Sequence, residues 1–179
     1  MTSLGVAGSE AAGSGSPGSP VSTAARPERA VPPIRRSVLV RSDRPHVFDV
    51  FVREIGQWWP TRPLSLGGAE RVAKVLVEQC LDGRVYEVWH DGTEADWGRV
   101  VAWEPPERFA MTWEITSRQE GGATTEVELR FLDLGPSLTR VELEHRGWDR
   151  LSAAVACARE EGYGAGWDLV LDHLAAACA

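Results

Sequence analysis

The sequence predicts one α+β domain, in which a curved antiparallel β-sheet of about six to seven strands packs against a long C-terminal α-helix. Three observations lead to this prediction. Short runs of alternating apolar and polar residues, separated by turn residues, recur between Ile34 and His145. An apolar stripe of helical period occupies the end of the chain. A shorter segment after the first run has the capping residues and spacing of a helix.

The folded part is expected to begin near residue 31. Residues 1–30 are rich in Gly, Ser, Ala and Pro and have almost no large apolar side chains. Such a segment cannot bury enough surface to offset the entropy lost on ordering. We therefore expect a disordered tail over residues 1–30 and one domain over residues 31–179.

The domain is predicted to begin with a strand and a helix. The strand is "IRRSVLVR", whose alternate residues lie on one face. Ser42 or Asp43 can cap the helix that follows, and Pro45 suits its first turn. The apolar face of this helix consists of Val47, Phe48, Phe51 and Ile55.

Turn residues separate the remaining strands. Asp82-Gly83 and Asp91-Gly92 tolerate positive φ, so they predict hairpin turns, and Gly121-Gly122 predicts a later one. The prolines of "EPPE" end a strand because they cannot donate to a ladder. The predicted strands are "RVAKVLVEQ", "RVYEVWH", "EADWGRVVAWE", "RFAMTWEI", "TEVELRFL" and "LTRVELEHR".

The end of the chain predicts one long helix. Its apolar stripe consists of Val155, Tyr163, Trp167, Val170, Leu171, Leu174 and Cys178. Gly162, Gly164 and Gly166 interrupt it without breaking the register, and each glycine weakens a helix by roughly 0.5–1 kcal/mol. We therefore expect a single helix that is kinked or weakened at the glycines.

Eight tryptophans in 179 residues predict an aromatic interior between sheet and helix. On one strand Trp97, Val101 and Trp103 are predicted to share a face, and Phe109, Met111 and Trp113 do so on the next. Such rings either fill a core or line a pocket, and core is the commoner role of an apolar stripe. Of the adjacent Trp58 and Trp59, one is expected to plug the end of the cavity and the other to be partly exposed beside Pro60.

Charge and composition exclude several functions. The net charge of −7 repels phosphate backbones, which argues against nucleic acid as a partner. No apolar run is long enough to cross a bilayer, and the N-terminus has no secretory signal pattern. The three cysteines are far apart and form no CxxC motif, which fits a reducing cytoplasm. We therefore expect a cytoplasmic protein without a membrane partner.

Few residues suggest chemistry. His145 is the best acid–base candidate because it lies on the apolar face of the last strand, although a buried histidine that is simply hydrogen-bonded is commoner. Glu87 and Arg99 are expected to pair across neighbouring strands. The four histidines form no metal-binding pattern, and no serine or cysteine has the context of a nucleophile. No catalytic residue, metal or cofactor is predicted.

Several short motifs, in order, carry a resemblance to a known family. They are "WWP", "DGRVYE", "WGRVVAWEPPERFAMTWE", "TRVELEHRGW" and "GYGAGW". The region from Ile34 to the C-terminus resembles the START-like (SRPBCC, helix-grip) superfamily, in the branch related to the C-terminal domain of the activator of heat-shock protein 90 ATPase, and in particular its stand-alone bacterial relatives. That branch often has two glycines where this chain has Asp82-Gly83.

The resemblance implies a helix-grip fold that binds a small, mostly apolar molecule in a cavity under the long helix. One alternative is an accessory module that activates a chaperone ATPase in the stress response, with a chaperone or other protein as its partner. The other is a cyclase or dehydratase that uses the same cavity. The residues expected to bind the ligand are Phe51, Trp58, Trp59, Trp97, Trp103, Met111, Trp113, Phe131, His145, Tyr163 and Trp167.

Deleting residues 1–30 is expected to leave the melting temperature almost unchanged, because this segment has little apolar surface to bury. Thermal melts of the full-length and truncated chains would measure the difference. A fall of more than a few degrees would show that the segment packs on the domain.

Overall fold

A computed structural model describes residues 31–115 and 123–179. Seven antiparallel strands form one curled sheet in the order β1-β7-β6-β5-β4-β3-β2. The strands are Ile34–Val40 (β1), Val72–Val77 (β2), Arg84–Trp89 (β3), Glu94–Glu104 (β4), Arg108–Trp113 (β5), Thr125–Gly135 (β6) and Leu138–Arg146 (β7). The predicted α+β helix-grip fold is confirmed.

Helices close the concave face of this sheet. The α-helices are Arg44–Arg53 (α1), Ile55–Trp58 (α2), Ala153–Arg159 (α3) and Ala165–Ala177 (α4), and a 3₁₀ turn spans Trp148–Arg150. Asp43 caps α1, because its side chain accepts a hydrogen bond of 3.1 Å from the backbone N–H of His46. The predicted start of this helix is therefore confirmed.

The C-terminal helix is interrupted where its glycines predict. A π-helical turn over Glu160–Gly164 joins α3 to α4. In α4, the buried residues Trp167, Val170, Leu171 and Leu174 face the sheet. Gly166 lies against the loop that follows α2: a Cβ at this position would approach the Leu64 side chain to 3.2 Å. The glycine therefore lets the helix and this loop come close together.

Two predicted hairpin turns have the expected backbone conformation. Asp82 has a φ of 62° and Gly92 a φ of 84°, in the left-handed region that such turns need. The predicted turn at Gly121-Gly122 lies outside the described residues.

Two β-bulges in β4 make one prediction wrong, the prediction that Val101 shares a face with Trp97. The pairing of β3 with β4 skips Trp97, and the pairing of β4 with β5 skips Val101. Each extra residue disturbs the alternation of side chains between the two faces. Val100 is therefore buried, whereas Val101 is 41% exposed and does not share the inner face with Trp97. The predicted shared face of Phe109, Met111 and Trp113 is confirmed, since all three are buried and line the same interior void.

Most of the core lies between the concave face of the sheet and helices α1, α2 and α4. Its largest fully buried side chains include Trp97, Phe48, Phe109 and Phe131. In the two described ranges, no helix has the length and apolarity needed to cross a bilayer.

Candidate functional site

Four tryptophans meet at the centre of the concave face. Trp59 follows α2, Trp97 lies on β4, Trp113 on β5 and Trp167 on α4. Ring centroids are 5.0 Å apart for Trp59–Trp97 and for Trp113–Trp167. The contacts of Trp167 within this aromatic cluster are edge-to-face, an arrangement that aromatic pairs prefer, and the other contacts are tilted.

Two small voids border the aromatic cluster. The central void is lined by Phe51, Ile55, Trp59, Val77, Val85, Trp97, Phe109, Met111, Trp113, Val127, Leu129 and Trp167. The helix-end void is lined by Trp59, Leu64, Trp113, Tyr163, Gly166 and Trp167. Each void has a volume of about 10 Å³, room for about one water molecule. Pockets for drug-sized ligands measure about 300–1,000 Å³, so the interior is closed in this conformation.

The predicted ligand-binding residues divide between the voids and the surrounding core. Those on the central void are Phe51, Trp59, Trp97, Met111, Trp113 and Trp167, and Tyr163 lies on the helix-end void. Phe131 packs behind Phe51 at a centroid distance of 6.0 Å, and Trp103 is half-buried beside Phe48 at 5.5 Å. Neither residue lines the central void or the helix-end void.

The tryptophan pair differs from the expectation that one ring is partly exposed. Both Trp58 and Trp59 are buried. The Trp58 indole donates to the carbonyl oxygen of Val50 at 2.9 Å, and the Trp59 indole donates to that of Leu64 at 2.6 Å. The short helix α2 ends between the two residues, and their different backbone conformations let both rings turn inward.

Glu87 is fully buried and accepts four hydrogen bonds. The backbone N–H groups of Leu66 and Gly67 and the indoles of Trp89 and Trp97 donate to its two oxygens over 2.5–3.0 Å. Four donors around one carboxyl suit a carboxylate, which only accepts.

The predicted pairing of Glu87 with Arg99 is wrong. The register of β3 with β4 places Ala95 opposite Glu87 and places Arg99 opposite Arg84. Alternation along β3 already puts Glu87 on the same face as the buried Val85, so the sequence did contain a signal that this carboxylate points inward.

The Glu87 carboxylate fixes the loop that covers the aromatic cluster. Through Leu66 and Gly67 it holds the chain beside Leu64, whose carbonyl accepts the Trp59 indole. Through the Trp97 indole it also fixes a ring of the cluster itself. One buried carboxylate thus connects two strands, the loop and the interior.

His145 is also fully buried and hydrogen-bonded. Its Nδ1 accepts from the Trp167 indole at 3.1 Å, so the ring proton lies on Nε2, 2.7 Å from the Thr125 hydroxyl. Burial lowers the pKa of His145 to about 3. The imidazole is therefore neutral near pH 7, both nitrogens are occupied, and it borders neither void. This geometry is that of a positioning group for Trp167.

A larger concavity, the outer groove, lies on the opposite face of the sheet. Its volume is about 600 Å³, and its lining residues are Arg35, Arg36, Ser37, Glu128, Arg130, Glu142, Leu143, Glu144 and Arg146. Glu128 forms ion pairs there with Arg108, Arg130 and Arg146. Within the described residues, no group of three or more His, Cys, Asp or Glu side chains could hold a metal ion.

Comparison with known proteins places this fold in a family. The family model described as "Activator of Hsp90 ATPase homolog 1-like protein" matches residues 43–179. No curated protein sequence matches the chain.

Several solved structures are similar to this chain. The anthrahydroquino-γ-pyrone synthase Txn09, complexed with SUM, is 32% identical over 83% of this chain and 97% of that chain, with a TM-score of 0.51. The self-sacrificing resistance protein CalC from Micromonospora echinospora is 27% identical over 81% and 92%, with a TM-score of 0.57. Protein NE0264 from Nitrosomonas europaea shares the fold at 11% identity over 83% and 95%, with a TM-score of 0.59.

Glu87→Gln should lower the free energy of unfolding by about 1–3 kcal/mol, because the new amide turns one acceptor into a donor that faces N–H groups. Urea titration measures the loss. Glu70→Gln is the matched control, since that side chain is 85% exposed. Equal stabilities of the two variants would show that the Glu87 carboxylate does not hold the loop.

His145 should make stability depend on pH. An unfolded histidine titrates near pH 6.5, whereas burial lowers the pKa of native His145 to about 3. The unfolded chain therefore binds the extra proton as the pH falls below about 6.5, and stability present above that pH is lost toward pH 3. This one group should contribute a change in the free energy of unfolding that approaches about 1.4 kcal/mol per pH unit.

Urea titrations between pH 5 and pH 7 test this pH dependence. In His145→Gln, the free energy of unfolding should depend less steeply on pH, although the variant is less stable. In the control His90→Gln, at an exposed position, the pH dependence should match that of wild type. The same slope in wild type and His145→Gln would contradict the assignment.

Proposed function

The chain belongs to the Activator of Hsp90 ATPase homolog 1-like protein family, and from this premise we propose that it binds a small, mostly apolar ligand between its sheet and α4. The main support for this proposal is the position of three tryptophan rings. Trp59, Trp113 and Trp167 border both voids. A movement of these rings would join the voids into one aromatic-walled site, in which a flat ligand replaces ring–ring contacts.

The entrance lies where the C-terminal helix is interrupted. In α3, Ala156 is buried but Ala153, Ala154 and Cys157 are exposed, so few apolar contacts hold this helix. Segments with few buried contacts open at low free-energy cost, and π-helical turns often occur at functional sites. Displacement of Glu160–Gly164 away from Leu64 would open the helix-end void.

The similar structures suggest the class of ligand. Txn09 is an anthrahydroquino-γ-pyrone synthase, solved with a bound compound, and its sequence is 32% identical to this chain. On the basis of this similarity, we expect that the ligand of this chain is a flat, fused-ring aromatic molecule. Tryptophan rings suit such a ligand, because they offer large rigid apolar faces.

The geometry supports binding better than catalysis. Both nitrogens of His145 are occupied, and four donors surround Glu87, so neither group is poised to transfer a proton. A cyclase or dehydratase would need such a group. A chaperone-ATPase accessory role in the stress response is the other alternative, and it would use exposed surface. The free thiols of Cys80, Cys157 and Cys178 fit a cytoplasmic setting.

The apolar fluorescent probe N-phenyl-1-naphthylamine tests the proposal. It should bind the native protein saturably, with a Kd in the micromolar range, and should quench tryptophan emission. Met111→Ala enlarges the central void and should change the Kd while leaving the circular-dichroism spectrum intact. Val101→Ala, on the same sheet but facing outward, is the control and should bind like wild type.

A probe that binds only above the onset of unfolding would contradict the proposal. Such a result would mean that the aromatic cluster is an ordinary packed core. Interaction with another protein would then be the better account of the family relationship.

A further inference from the structure

We infer that the Trp113 indole N–H selects the ligand by donating a hydrogen bond to it, so that the ligand carries an acceptor oxygen on its aromatic framework. Carbonyl, quinone and pyrone oxygens are acceptors of this kind. The inference rests on the proposed function and specifies which chemistry that site would recognise.

The inference starts from the buried indole N–H of Trp113, a donor that has no acceptor among the described residues. The other buried tryptophans each donate to a protein group: Trp58 to Val50, Trp59 to Leu64, Trp97 to Glu87, Trp148 to His145 and Trp167 to His145. Trp113 is only 4% exposed, and within the described residues its Nε1 has no hydrogen-bond partner. Buried polar groups are rarely left unpaired, because the lost hydrogen bonds to water are not replaced.

The position of Trp113 links this donor to the ligand site. Its ring lies between the central void and the helix-end void and borders both. A ligand that joins the two voids must therefore contact this ring. The space beside it has room for about one water molecule, and therefore for a ligand oxygen.

Among the described residues, His145 and Glu87 are two polar groups near the aromatic cluster, and both are already hydrogen-bonded within the protein. His145 is 6.0 Å from the Trp113 ring by centroids, but its nitrogens face Trp167 and Thr125. The Glu87 oxygens already accept four hydrogen bonds. The described wall of the two voids thus presents the uncommitted N–H of Trp113 among mainly apolar side chains. Such a site favours an oxygenated ring system over a hydrocarbon of the same shape.

A pair of matched probes tests the inference. 9-Fluorenone and fluorene have the same fused-ring outline, but only 9-fluorenone has a carbonyl acceptor. The preference for 9-fluorenone, taken as the ratio of the two Kd values, should be about three- to tenfold larger in wild type than in Trp113→Phe, the range of one net hydrogen bond. Trp59→Phe is the matched control: it shortens a ring on the same voids whose N–H is already bonded to Leu64. This control removes ring contacts and the bond to Leu64, so both Kd values should change, but their ratio should stay at the wild-type value.

The indole N–H signals of wild-type protein give a readout that does not depend on how the variants fold. In a ¹⁵N-labelled sample, 9-fluorenone should move the Trp113 resonance downfield, as a new hydrogen bond requires, and fluorene should not. An equal preference in wild type and Trp113→Phe, or the same shift with both probes, would overturn the inference and leave the proposed function standing. Failure of both probes to bind would contradict the proposed function as well.

Discussion

The buried Glu87 carboxylate is the interaction on which the closed interior depends. Its four hydrogen bonds join β3, β4 and the loop after α2, and its two oxygens have no cation beside them among those partners. A buried charge of this kind is tolerated only while its hydrogen bonds are complete. Because the loop presents Leu64 to Trp59 and to Gly166 of α4, the loop, the aromatic cluster and the helix are held in one arrangement.

If the proposed ligand binds in the interior, the same side chains form both the core and the binding site. The rings bury large apolar areas and so stabilise the empty protein, yet they leave voids on both sides of Trp59, Trp113 and Trp167. Opening at the interrupted helix would cost free energy, and contacts with the ligand must offset this cost. The affinity therefore depends on how readily Glu160–Gly164 moves. The family relationship and the similarity to Txn09 agree with such a site, and the neutral, hydrogen-bonded His145 favours recognition over proton transfer.

Much of the fold could be predicted from the sequence, because local signals and the global structure agree. Asp43 as a cap, Asp82-Gly83 as a turn and the glycines of the C-terminal helix each have a mechanism that acts over a few residues. The face of Val101 could not be predicted, because a bulge depends on pairing with a neighbouring strand. The partners of Glu87 come from segments far apart in the chain, and so do the side chains around the Trp113 N–H, which has no partner within the described residues. Only the assembled structure shows either environment.

Intermolecular nuclear Overhauser effects can test directly whether a ligand enters the aromatic interior, because they locate the bound ligand. With 9-fluorenone bound to the labelled native protein, we expect effects between probe protons and the ring protons of Trp59, Trp113, Trp167 and Tyr163, which border the helix-end void. Effects only to residues of the outer groove, such as Arg130 and Glu142, would show that the ligand does not bind in the interior. In that case the interior is a packed core and the ligand binds elsewhere.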